Sequence, residues 1–551
     1  MHRDRSLKRI ALDVASLDEG ERIAPREGQG TMNTAEFLTI TAGSVPDRVA
    51  LTDPNESVTY SELLARVQKL AHAFAMLGVG KGNNVGMMSV NAVAFPEIYY
   101  ATAMVGATFV PLNYRARADE LAYMVDAANV NVLFVSERYF PLLQQVRPSL
   151  STLEHVYALD FVPEGEETLE QLRAQGVEEP FYREVEDDDP ALVIYTSGTT
   201  AQPKGVVLTH KTLTAYVINT QSPADPASEQ EVTLVSVPFF HIAGATTMLG
   251  SVWSGRRLAM LPQFDSQAWL DTVERERVTH AFVVPTMLKR LMEIDDFDQY
   301  DLSSLQLITY GAAPMPFEVV RRACEVFDCG LMNAYGQTES TSTLTYLSPD
   351  DHRLSGTPEE IQRKVERLRS VGRPMPDLDV AILTPDSRRL PNGEEGEICV
   401  RGDRVMREYQ GRGEETAAAL AEGWLHTGDV GRFDEDGYLF ITGRVKDMII
   451  RGGENIAPAE IEQVLEDHPA VAEAAVIGVP DVEWGEIVKA VIVPLEGEDV
   501  EESQLTDFVK SRIASYKAPA YYEWVSELPR NHMGKILKNE LRDRYGQSAT
   551  A

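Results

Sequence analysis

The residues of this sequence best suited to chemistry lie together in one short loop. A β-rich run at residues 191–195 leads into residues 196–205, which hold four hydroxyl side chains, two glycines, one lysine and no acid. Glycines let backbone N–H groups converge on an anion, hydroxyls donate hydrogen bonds, and a lysine adds a positive charge. The candidate phosphate-binding residues of this loop are Thr196, Ser197, Gly198, Thr199, Thr200 and Lys204. The composition predicts an oxyanion cradle, with an ordinary turn that binds nothing as the alternative.

The loop differs from the Walker loop of many nucleotide-binding proteins. The pattern Gly-x-x-x-x-Gly-Lys-Ser/Thr is absent from it. Pro203 argues against a helix that begins directly after the loop, because proline lacks the backbone N–H and clashes inside a helix. The phosphate hypothesis therefore rests on the loop's composition and not on a Walker motif.

The elements that must hold this loop alternate between helical and strand-like patterns. Apolar residues recur at helical spacing over residues 62–77 and 95–105, with a short apolar run at 84–90, and residues 232–237, 281–284 and 306–309 are typical of buried strands. Such alternation predicts an α/β fold with a buried parallel sheet. After residue 443 the pattern changes to a compact α+β run of about a hundred residues, which indicates a small second domain. Its predicted helices are 458–465 and 502–514, and its predicted strands lie near 471–479 and 487–493.

Composition and charge exclude several classes of protein. The chain has 551 residues, of which 51 are Lys or Arg and 85 are Asp or Glu, and its formal net charge is −34. Such a balance repels phosphate, so nucleic acid is excluded as a main partner. No stretch is long and apolar enough to cross a bilayer, so we expect no transmembrane segment. The sequence leaves peripheral contact with a membrane and formation of a homodimer open.

The cysteines and the N-terminal residues indicate a cytoplasmic protein. Cys324, Cys329 and Cys399 are too few for a disulfide framework, and none lies beside histidines at zinc-finger spacing. We expect them to be buried structural thiols. Residues 1–33 contain basic residues but no apolar targeting core, so they are predicted to form a polar extension, with a targeting segment as the alternative.

Five further segments follow the loop in order. They are Tyr-Gly-Ala-Ala-Pro at 310–314, Asn-Ala-Tyr-Gly-Gln-Thr-Glu at 333–339, Trp-Leu-His-Thr-Gly-Asp at 424–429, the run at 443–456, and Pro-Arg-Asn-His-Met-Gly-Lys-Ile at 529–536. Together with the loop, they resemble the signatures of the adenylate-forming superfamily, which includes acyl-CoA synthetases, firefly luciferase and peptide-synthetase adenylation domains. The resemblance spans residues 34–545. One departure is Ala201, where these proteins usually carry glycine, and a positive φ there would strain the loop or change its turn.

The resemblance implies a domain organisation and an activity. It implies an α/β fold with a large N-terminal domain of several subdomains at residues 34–443, a hinge at 444–447 and a small mobile α+β lid at 448–551. Lys446 is the implied pivot. The implied enzyme is an AMP-forming acyl-CoA ligase that uses ATP and Mg2+ to convert a carboxylic acid into an acyl adenylate, and then transfers the acyl group to coenzyme A.

The resemblance also assigns roles to residues. The implied catalytic residues are Lys535, Thr338 and Glu339, and the implied Mg2+ ligands are Thr199 and Glu339. A lysine and a metal suit this chemistry, because the reaction brings two anions together and must screen their charge. The implied ATP- and AMP-binding residues outside the loop are Gly311, Ala312, Ala313, Pro314, Asn333, Tyr335, Gly336, Gln337, Thr338, Asp429, Arg444 and Lys535.

The acyl and coenzyme A sites are implied by two other regions. Residues 237–244 resemble the family's acyl gate, and the implied acyl-binding residues are His241, Gly244, Gly311 and Gly336. The implied coenzyme A residues are Gly452, Gly453, Glu454 and Trp484. Small residues and the lack of an arginine for a second carboxylate favour a medium- to long-chain fatty acid as substrate. The alternatives are an aryl or other small carboxylic acid, or an enzyme that passes the acyl adenylate to another acceptor.

A hydrolase or a nucleotide-sensing binding protein would belong to a different class. The sequence contains no Gly-x-Ser-x-Gly elbow and no His-Glu-x-x-His motif. It retains Glu339, Asp429 and Lys535 together, which argues against a binding module without activity.

Overall fold

The computed structural model describes residues 32–546 except 197–201, 453, 483, 496, 498–499 and 531–534. The described residues form four β-sheets with helices packed on them. The strands are β1 (Val49–Thr52), β2 (Ser57–Thr59), β3 (Asn84–Met88), β4 (Thr108–Pro111), β5 (Val130–Val135), β6 (His155–Ala158), β7 (Glu167–Thr168), β8 (Pro190–Thr196), β9 (Lys204–Thr209), β10 (Val232–Val235), β11 (Arg257–Met260), β12 (His280–Val283), β13 (Leu307–Gly311), β14 (Gly330–Gln337), β15 (Ser342–Leu347), β16 (Arg373–Pro374), β17 (Asp379–Leu383), β18 (Gly396–Arg401), β19 (Glu408–Tyr409), β20 (Leu425–Phe433), β21 (Leu439–Arg444), β22 (Ile449–Arg451), β23 (Glu454–Ile456), β24 (Val471–Asp481), β25 (Gly485–Pro494) and β26 (Tyr521–Trp524).

The α-helices cover the faces of these sheets. They are α1 (Glu36–Ser44), α2 (Tyr60–Met76), α3 (Ala94–Met104), α4 (Ala118–Ala127), α5 (Phe140–Val146), α6 (Leu169–Gln175), α7 (His210–Thr220), α8 (Ile242–Trp253), α9 (Ser266–Glu276), α10 (Pro285–Leu291), α11 (Phe317–Val326), α12 (Pro349–His352), α13 (Pro358–Arg367), α14 (Gly413–Ala419), α15 (Pro458–Glu466), α16 (Glu502–Lys510) and α17 (Lys538–Tyr545). None of the described helices is long and apolar enough to cross a membrane.

Two large sheets form the body of the protein. The first has the order β16-β15-β14-β13-β12-β10-β11-β1-β2, and the second has the order β19-β9-β8-β4-β3-β5-β6-β7. Strands β10, β12, β13 and β14 run parallel as neighbours, as do β8, β4, β3, β5 and β6. The expected α/β fold with buried parallel strands is confirmed.

Helix α2 shows why the local sequence predicted its position well. The Thr59 hydroxyl accepts a hydrogen bond from the Glu62 N–H at 3.2 Å, and the Glu62 carboxylate accepts one from the Thr59 N–H at 2.8 Å. This capping box fixes the first turn. Leu63, Val67 and Phe74 lie at helical spacing and are fully buried. The predicted helix at 62–77 is therefore confirmed, with a start two residues earlier.

The candidate phosphate loop connects two antiparallel strands. β8 pairs with β9, and Thr196 lies opposite Lys204 in their register. β9 begins at Lys204, directly after Pro203, so the prediction that no helix begins at this point is confirmed. The loop residues Ser197, Gly198, Thr199, Thr200 and Ala201 lie outside the described residues.

A third, smaller sheet joins the body to the C-terminal domain. Its order is β17-β18-β20-β21, and β21 ends at Arg444. A one-turn helix, Val445–Asp447, leads from β21 to β22, at the predicted hinge. Lys446 lies in this turn and is exposed.

The C-terminal domain has an α+β fold of its own. Its sheet has the order β23-β22-β25-β24 with β26 beside β25, and α15 and α16 share its core. The predicted helix 502–514 ends earlier, at Lys510, and continues as turns in which the Ile513 N–H still donates to the Val509 carbonyl oxygen at 3.0 Å. The expected large N-terminal and small C-terminal organisation is confirmed.

The described chain begins inside the predicted polar extension. Residues 1–31 lie outside the described residues. The Asn33 side-chain amide donates to the Ala103 carbonyl oxygen at 2.7 Å, and Thr34 is fully buried against His210 and Tyr99. The last residues of the predicted extension are therefore already part of the body.

Candidate active site

The predicted site residues of the body gather at one edge of the first sheet. Residues 236–241 follow β10, residues 311–314 comprise the last residue of β13 and the turn after it, and residues 337–339 comprise the last residue of β14 and the turn after it. Because β10, β12, β13 and β14 are parallel, their carboxyl ends lie on the same edge. This edge is where open α/β sheets usually bind ligands.

The predicted ribose residues are in direct contact. Arg444 Nε lies 2.8 Å from Asp429 Oδ1, and the two residues are paired in the register of β20 and β21. The Tyr335 hydroxyl, on β14, donates to Asp429 Oδ2 at 2.7 Å. Burial and the neighbouring Asp429 carboxylate raise the pKa of Tyr335 well above its usual value, so it stays a donor. Three sequence segments therefore meet at one carboxylate.

The turn before Asp429 holds this carboxylate in place. The Thr427 hydroxyl donates to the Ile398 carbonyl oxygen at 2.6 Å and accepts from the Asp429 N–H at 3.1 Å. Gly428 has a φ of 71°, a left-handed conformation that favours glycine. The Thr-Gly-Asp sequence is thus explained by the turn it must form.

Lys535 reaches this group from the C-terminal domain. It is partly buried, and burial together with the positive charges of Arg444 and Lys446 lowers its pKa to about 8, while Asp429 and Asp447 oppose the shift. Lys535 is therefore within electrostatic reach of the Asp429–Arg444 pair, and its role in the site stays a prediction.

Glu339 lies in the turn after β14 and is held by a residue from the second sheet. The Tyr409 hydroxyl donates to Glu339 Oε1 at 2.9 Å, and the Met406 N–H donates to the Glu339 carbonyl oxygen at 2.7 Å. The carboxylate is partly exposed and has a second oxygen to offer. Mg2+ prefers few carboxylates plus phosphate and water oxygens, so Glu339 fits the expected ligand. The other expected ligand, Thr199, lies outside the described residues.

Lys204 lies next to Tyr409, the residue that donates a hydrogen bond to Glu339. Its ammonium sits 4.8 Å from the centre of the Tyr409 ring and forms an ion pair with Glu415. Thr196 donates to the Lys204 carbonyl oxygen at 3.4 Å. Lys204 therefore lies at the base of the undescribed loop, beside the candidate metal ligand.

The predicted adenine turn after β13 is strained. Ala312 has a φ of 68°, which an L-residue with a Cβ adopts only at a cost. It is exposed, as is Pro314, while Gly311 is buried. Strain of this kind persists where the surrounding structure fixes the backbone, and it marks candidate binding turns.

Two predicted acyl-site glycines have a packing role. A Cβ on Gly311 would overlap the Ala334 carbonyl oxygen on the next strand, and a Cβ on Gly336 would overlap the Ser342 carbonyl oxygen. Asn333 and Thr338 flank this close packing and are buried; Gln337 is partly buried. These glycines are therefore required by the backbone, whether or not they also leave room for an acyl group.

His241 and Gly244 lie at the start of α8, after β10. The His241 ring lies 4.4 Å from the Phe240 ring, centre to centre, and Phe239 and Phe240 are buried in the core. Gly244 packs against the backbone of Pro238, which a Cβ would overlap. The structure thus fixes the shape of this segment, and its contact with an acyl group stays a prediction.

The predicted coenzyme A residues lie on the C-terminal domain. Gly452 donates its N–H to the Trp484 carbonyl oxygen at 2.8 Å, and a Cβ on Gly452 would lie 2.8 Å from the Trp484 ring. Trp484 is partly exposed, and the Arg451 guanidinium lies 4.7 Å from its ring centre. Glu454 starts β23 beside them, and Gly453 lies outside the described residues. Binding of coenzyme A there stays a prediction.

Comparison with known proteins decides the family. The sequence model of the AMP-binding enzyme family matches residues 38–410, and that of the AMP-binding enzyme C-terminal domain matches residues 460–535. The chain belongs to the AMP-binding enzyme family. This confirms the adenylate-forming fold and the expected class, an AMP-forming acid–thiol ligase, because curated relatives that match 91% of the chain are named as CoA ligases or synthases.

Similar proteins carry several substrate names. The chain is 37% identical over 504 residues to a feruloyl-CoA synthase of Amycolatopsis sp, covering 91% of this chain and 96% of the relative. It is 34% identical over 503 residues to the long-chain-fatty-acid–CoA ligase FadD13 of Mycobacterium tuberculosis, with the same two coverages, 91% and 96%. The structure of the amide bond synthetase McbA from Marinactinospora thermotolerans has a TM-score of 0.84 and 30% identity, covering 94% of this chain and all of that one.

Two residues of the site were missed by sequence reasoning. Tyr409 contacts both Glu339 and Lys204, and Glu415 pairs with Lys204. Tyr409 reaches the site because β19 pairs with β9, about two hundred positions away in the chain. A tyrosine in a short polar stretch gives no local signal of such a pairing.

Proposed function

We propose that this enzyme is an ATP-dependent acyl-CoA ligase with two half-reactions at one site. In the first, a carboxylate oxygen of the acid attacks the α-phosphorus of ATP, and pyrophosphate leaves. In the second, the sulfur of coenzyme A attacks the acyl carbon, the thiol loses its proton, and AMP leaves. The attacking thiol belongs to the co-substrate, so no protein cysteine is needed.

The observation that carries this proposal is a cationic group inside a strongly acidic protein. Burial, followed by the positive charges of Arg444 and Lys446, lowers the pKa of Lys535 to about 8, while Asp429 and Asp447 oppose the shift, in a chain with a net charge of −34. Clustered cations that repel one another are stabilised by a bound polyanion. ATP and an incoming carboxylate supply such negative charge, and the pKa of Lys535 should rise when they bind.

The chain's own residues divide the work of the first half-reaction. Asp429, which contacts Tyr335 and Arg444, is proposed to accept hydrogen bonds from the ribose hydroxyls. Thr338 is proposed to bind an α-phosphate oxygen, and Lys535 to contact the carboxylate and the α-phosphate together. Screening and orientation of this kind are usually the main contributions to a transfer between anions.

The metal would be held by Glu339. Tyr409 orients this carboxylate, and Lys204 adds a positive charge nearby. When bound, Mg2+ neutralises charge on the polyphosphate, and the protein's part is to fix the direction of the Glu339 oxygens.

The second half-reaction is proposed to need a movement of the C-terminal domain. The boundaries we propose are a body at 34–443, a hinge at 444–447 and a lid at 448–551. Lys446 is the proposed pivot, and rotation about it would withdraw Lys535 and present Gly452, Gly453, Glu454 and Trp484 to coenzyme A. The one-turn helix Val445–Asp447 supports a pivot there, because Val445 and Lys446 are exposed, while the Asp447 carboxylate is ion-paired to Arg542 of the proposed lid at 2.8 Å.

The proposed acid is a medium- to long-chain fatty acid. Residues 237–244 offer apolar and small side chains with His241 as the one polar group, and FadD13 of Mycobacterium tuberculosis carries a fatty-acid name. An aryl acid is the second candidate, favoured by the similarity to a feruloyl-CoA synthase. The similarity to the amide bond synthetase McbA makes an amine the alternative acceptor to coenzyme A.

A competition assay tests the acid and the acceptor together. The enzyme, ATP and Mg2+ are mixed with equal concentrations of octanoate, palmitate, ferulate and phenylacetate, with coenzyme A or a simple amine, and products are identified by mass spectrometry. We expect fatty acyl thioesters to dominate. A dominant feruloyl thioester would select the aryl candidate, and amides formed in preference to thioesters would contradict the proposed acceptor.

A further inference from the structure

Three side chains of metal-binding type meet at the base of the ribose turn. His426 Nδ1 lies 2.8 Å from Glu397 Oε2 and 3.5 Å from Cys399 Sγ. The three ligand atoms all lie within 4.8 Å of one another. None of the three residues belongs to the site described above, although His426 lies three residues before Asp429.

Sheet pairing explains why the cluster forms. Glu397 and Cys399 lie two residues apart on β18, and Cys399 is paired with His426 on β20. Between the pairs Glu397–Val430 and Cys399–His426, β18 has one residue and β20 has three. The two extra residues of β20 in this stretch form a bulge that changes the direction of the strand, and the cluster lies at the base of this bulge.

The chemistry and spacing of the cluster suit a zinc-type ion. Thiolate, imidazole and carboxylate are the usual protein ligands of Zn2+, at bond lengths of about 2.0–2.3 Å. A tetrahedral ion with these bonds separates its ligand atoms by roughly 3.3–3.7 Å. The 3.5 Å between Cys399 and His426 already fits, and the 2.8 Å between His426 and Glu397 must lengthen when the ion binds. Mg2+ prefers oxygen ligands alone, so this cluster and Glu339 select different ions.

We propose that Glu397, Cys399 and His426 form a binding site for a thiophilic divalent cation such as Zn2+, with water as the fourth ligand. Cys399 is fully buried, whereas the side chains of His426 and Glu397 are 19% and 24% exposed, so the ion reaches the thiol past these two. His426 Nε2 is buried and has no hydrogen-bond partner among the described residues. Binding the ion through Nδ1 replaces the contact of His426 with Glu397 and puts the ring proton on Nε2, so the metal bonds must offset the cost of a buried N–H without an acceptor in the described part of the chain.

The cluster is connected to the nucleotide turn by hydrogen bonds. The Gly428 N–H donates to Glu397 Oε1 at 3.0 Å, and Thr427 donates to the carbonyl oxygen of Ile398, between Glu397 and Cys399. An ion on Glu397 Oε2 leaves Oε1 for Gly428 and restrains the carboxylate. We therefore expect the ion to tighten AMP binding through Asp429, and AMP to tighten ion binding by the same factor.

Cobalt titration tests the site itself and does not depend on the proposed function. The reduced full-length protein, freed of metal by a chelator, is titrated with Co2+, whose thiolate complexes absorb by charge transfer. We expect a one-to-one thiolate band that Zn2+ abolishes by displacing cobalt. The double variant C324S/C329S removes the other two cysteines and should keep the band, whereas C399S should lose it.

A second variant guards against misfolding of C399S. Glu397→Gln keeps the thiol and changes a partly exposed side chain. We expect its affinity for cobalt to be lower than that of the natural sequence by about tenfold or more, in the range found when metal-site contacts are removed. Absence of the band in the natural sequence, its persistence in C399S, or unchanged affinity in E397Q would each overturn the site.

The link to the nucleotide rests on the proposed function and is measured separately. AMP is titrated calorimetrically into the protein with Zn2+ or with a chelator. Tighter AMP binding with Zn2+ supports the link, and equal affinities would refute it while leaving the cobalt result to decide the metal site. No AMP binding in either sample would count against the proposed function instead.

Discussion

Asp429 and Arg444 face each other across β20 and β21, with Arg444 Nε 2.8 Å from Asp429 Oδ1, at the point where the body ends and the hinge begins. The same carboxylate accepts a hydrogen bond from Tyr335 on the first sheet. Asp429, the proposed ribose-binding residue, is therefore paired directly with Arg444, the first residue of the proposed hinge. Nucleotide binding and lid position are expected to influence each other.

Replacing Asp429 tests the ribose assignment. In D429A, the loss of charge-assisted hydrogen bonds, each worth about 1.5–3 kcal/mol, should lower kcat/KM for ATP by about 100-fold. The matched control is D386N, because Asp386 is an exposed carboxylate that also pairs with an arginine, Arg388. The control should stay within about twofold of the natural enzyme. Equal effects of the two changes would refute the assignment.

Replacing Lys535 separates the two half-reactions. K535A should reduce acyl adenylate formation by about 100-fold or more, because the ammonium is proposed to contact the α-phosphate and the carboxylate. Transfer from a supplied acyl adenylate to coenzyme A should stay close to normal. Quenched-flow analysis of each step measures both. If the two steps fell equally, the two-orientation scheme would be wrong.

The pH dependence of adenylation follows from the pKa of Lys535. A lysine with a pKa of about 8 loses its charge as pH rises through that value. If the charged form is active, kcat/KM for ATP should fall about tenfold per pH unit above pH 8, since this ratio reports groups of the free enzyme. K535R should remove this decline of kcat/KM above pH 8, because arginine stays charged. An equally steep decline in K535R would show that another group causes it.

Stability should change with pH in the opposite direction. The folded pKa of Lys535, about 8, lies below its ordinary value of 10.5, so the unfolded chain binds more protons between these values. The contribution of Lys535 to the free energy of unfolding should therefore rise from pH 8 to pH 10.5. Urea unfolding of the natural protein and of K535M across this range measures the difference. An unchanged difference across the window would show that burial does not lower this pKa.

Tyr409 offers a test of the metal ligand. Y409F removes the hydrogen bond to Glu339, a bond to a charged group, and should lower the adenylation rate about tenfold and raise the Mg2+ concentration needed for half-maximal rate. Y521F changes an exposed tyrosine of the lid and serves as the control. Titration of Mg2+ in the three proteins decides the matter, and an unchanged Mg2+ requirement in Y409F would argue against Glu339 as the ligand.

Gly336 tests the packing between β14 and β15. In G336A the new Cβ overlaps the Ser342 carbonyl oxygen, and overpacking of this kind typically costs about 1–3 kcal/mol of unfolding free energy. G43A is the control, because a Cβ there meets nothing within 4 Å and alanine favours a helix. Denaturant unfolding should show a loss for G336A alone. Equal stability of the two variants would mean that the strands can separate without cost.

Local patterns predicted the elements of the fold well. The capped, amphipathic helix α2 and the buried strands β10, β12 and β13 were found because their signals lie within a few residues. The end of α16 was misjudged, since the apolar spacing continues through Ile513 after the helix has become a turn.

The site was predictable where motifs exist and not where strand pairing creates contacts. The motif residues Asp429 and Arg444 form an ion pair, and Lys535 lies within electrostatic reach of them. Tyr409 escaped notice because only the β9–β19 pairing brings it to Glu339. Likewise, Cys399 and His426 lack zinc-finger spacing, and the β18–β20 pairing alone makes them neighbours.

The central claim is that one site adenylates an acid and then transfers it to coenzyme A. The most direct measurement is exchange of labelled pyrophosphate into ATP without coenzyme A, followed by addition of coenzyme A to the same sample. We expect exchange that depends on a fatty acid, and then stoichiometric acyl-CoA and AMP. Exchange that is independent of any acid, or acid-dependent exchange with no thioester after coenzyme A is added, would contradict the claim.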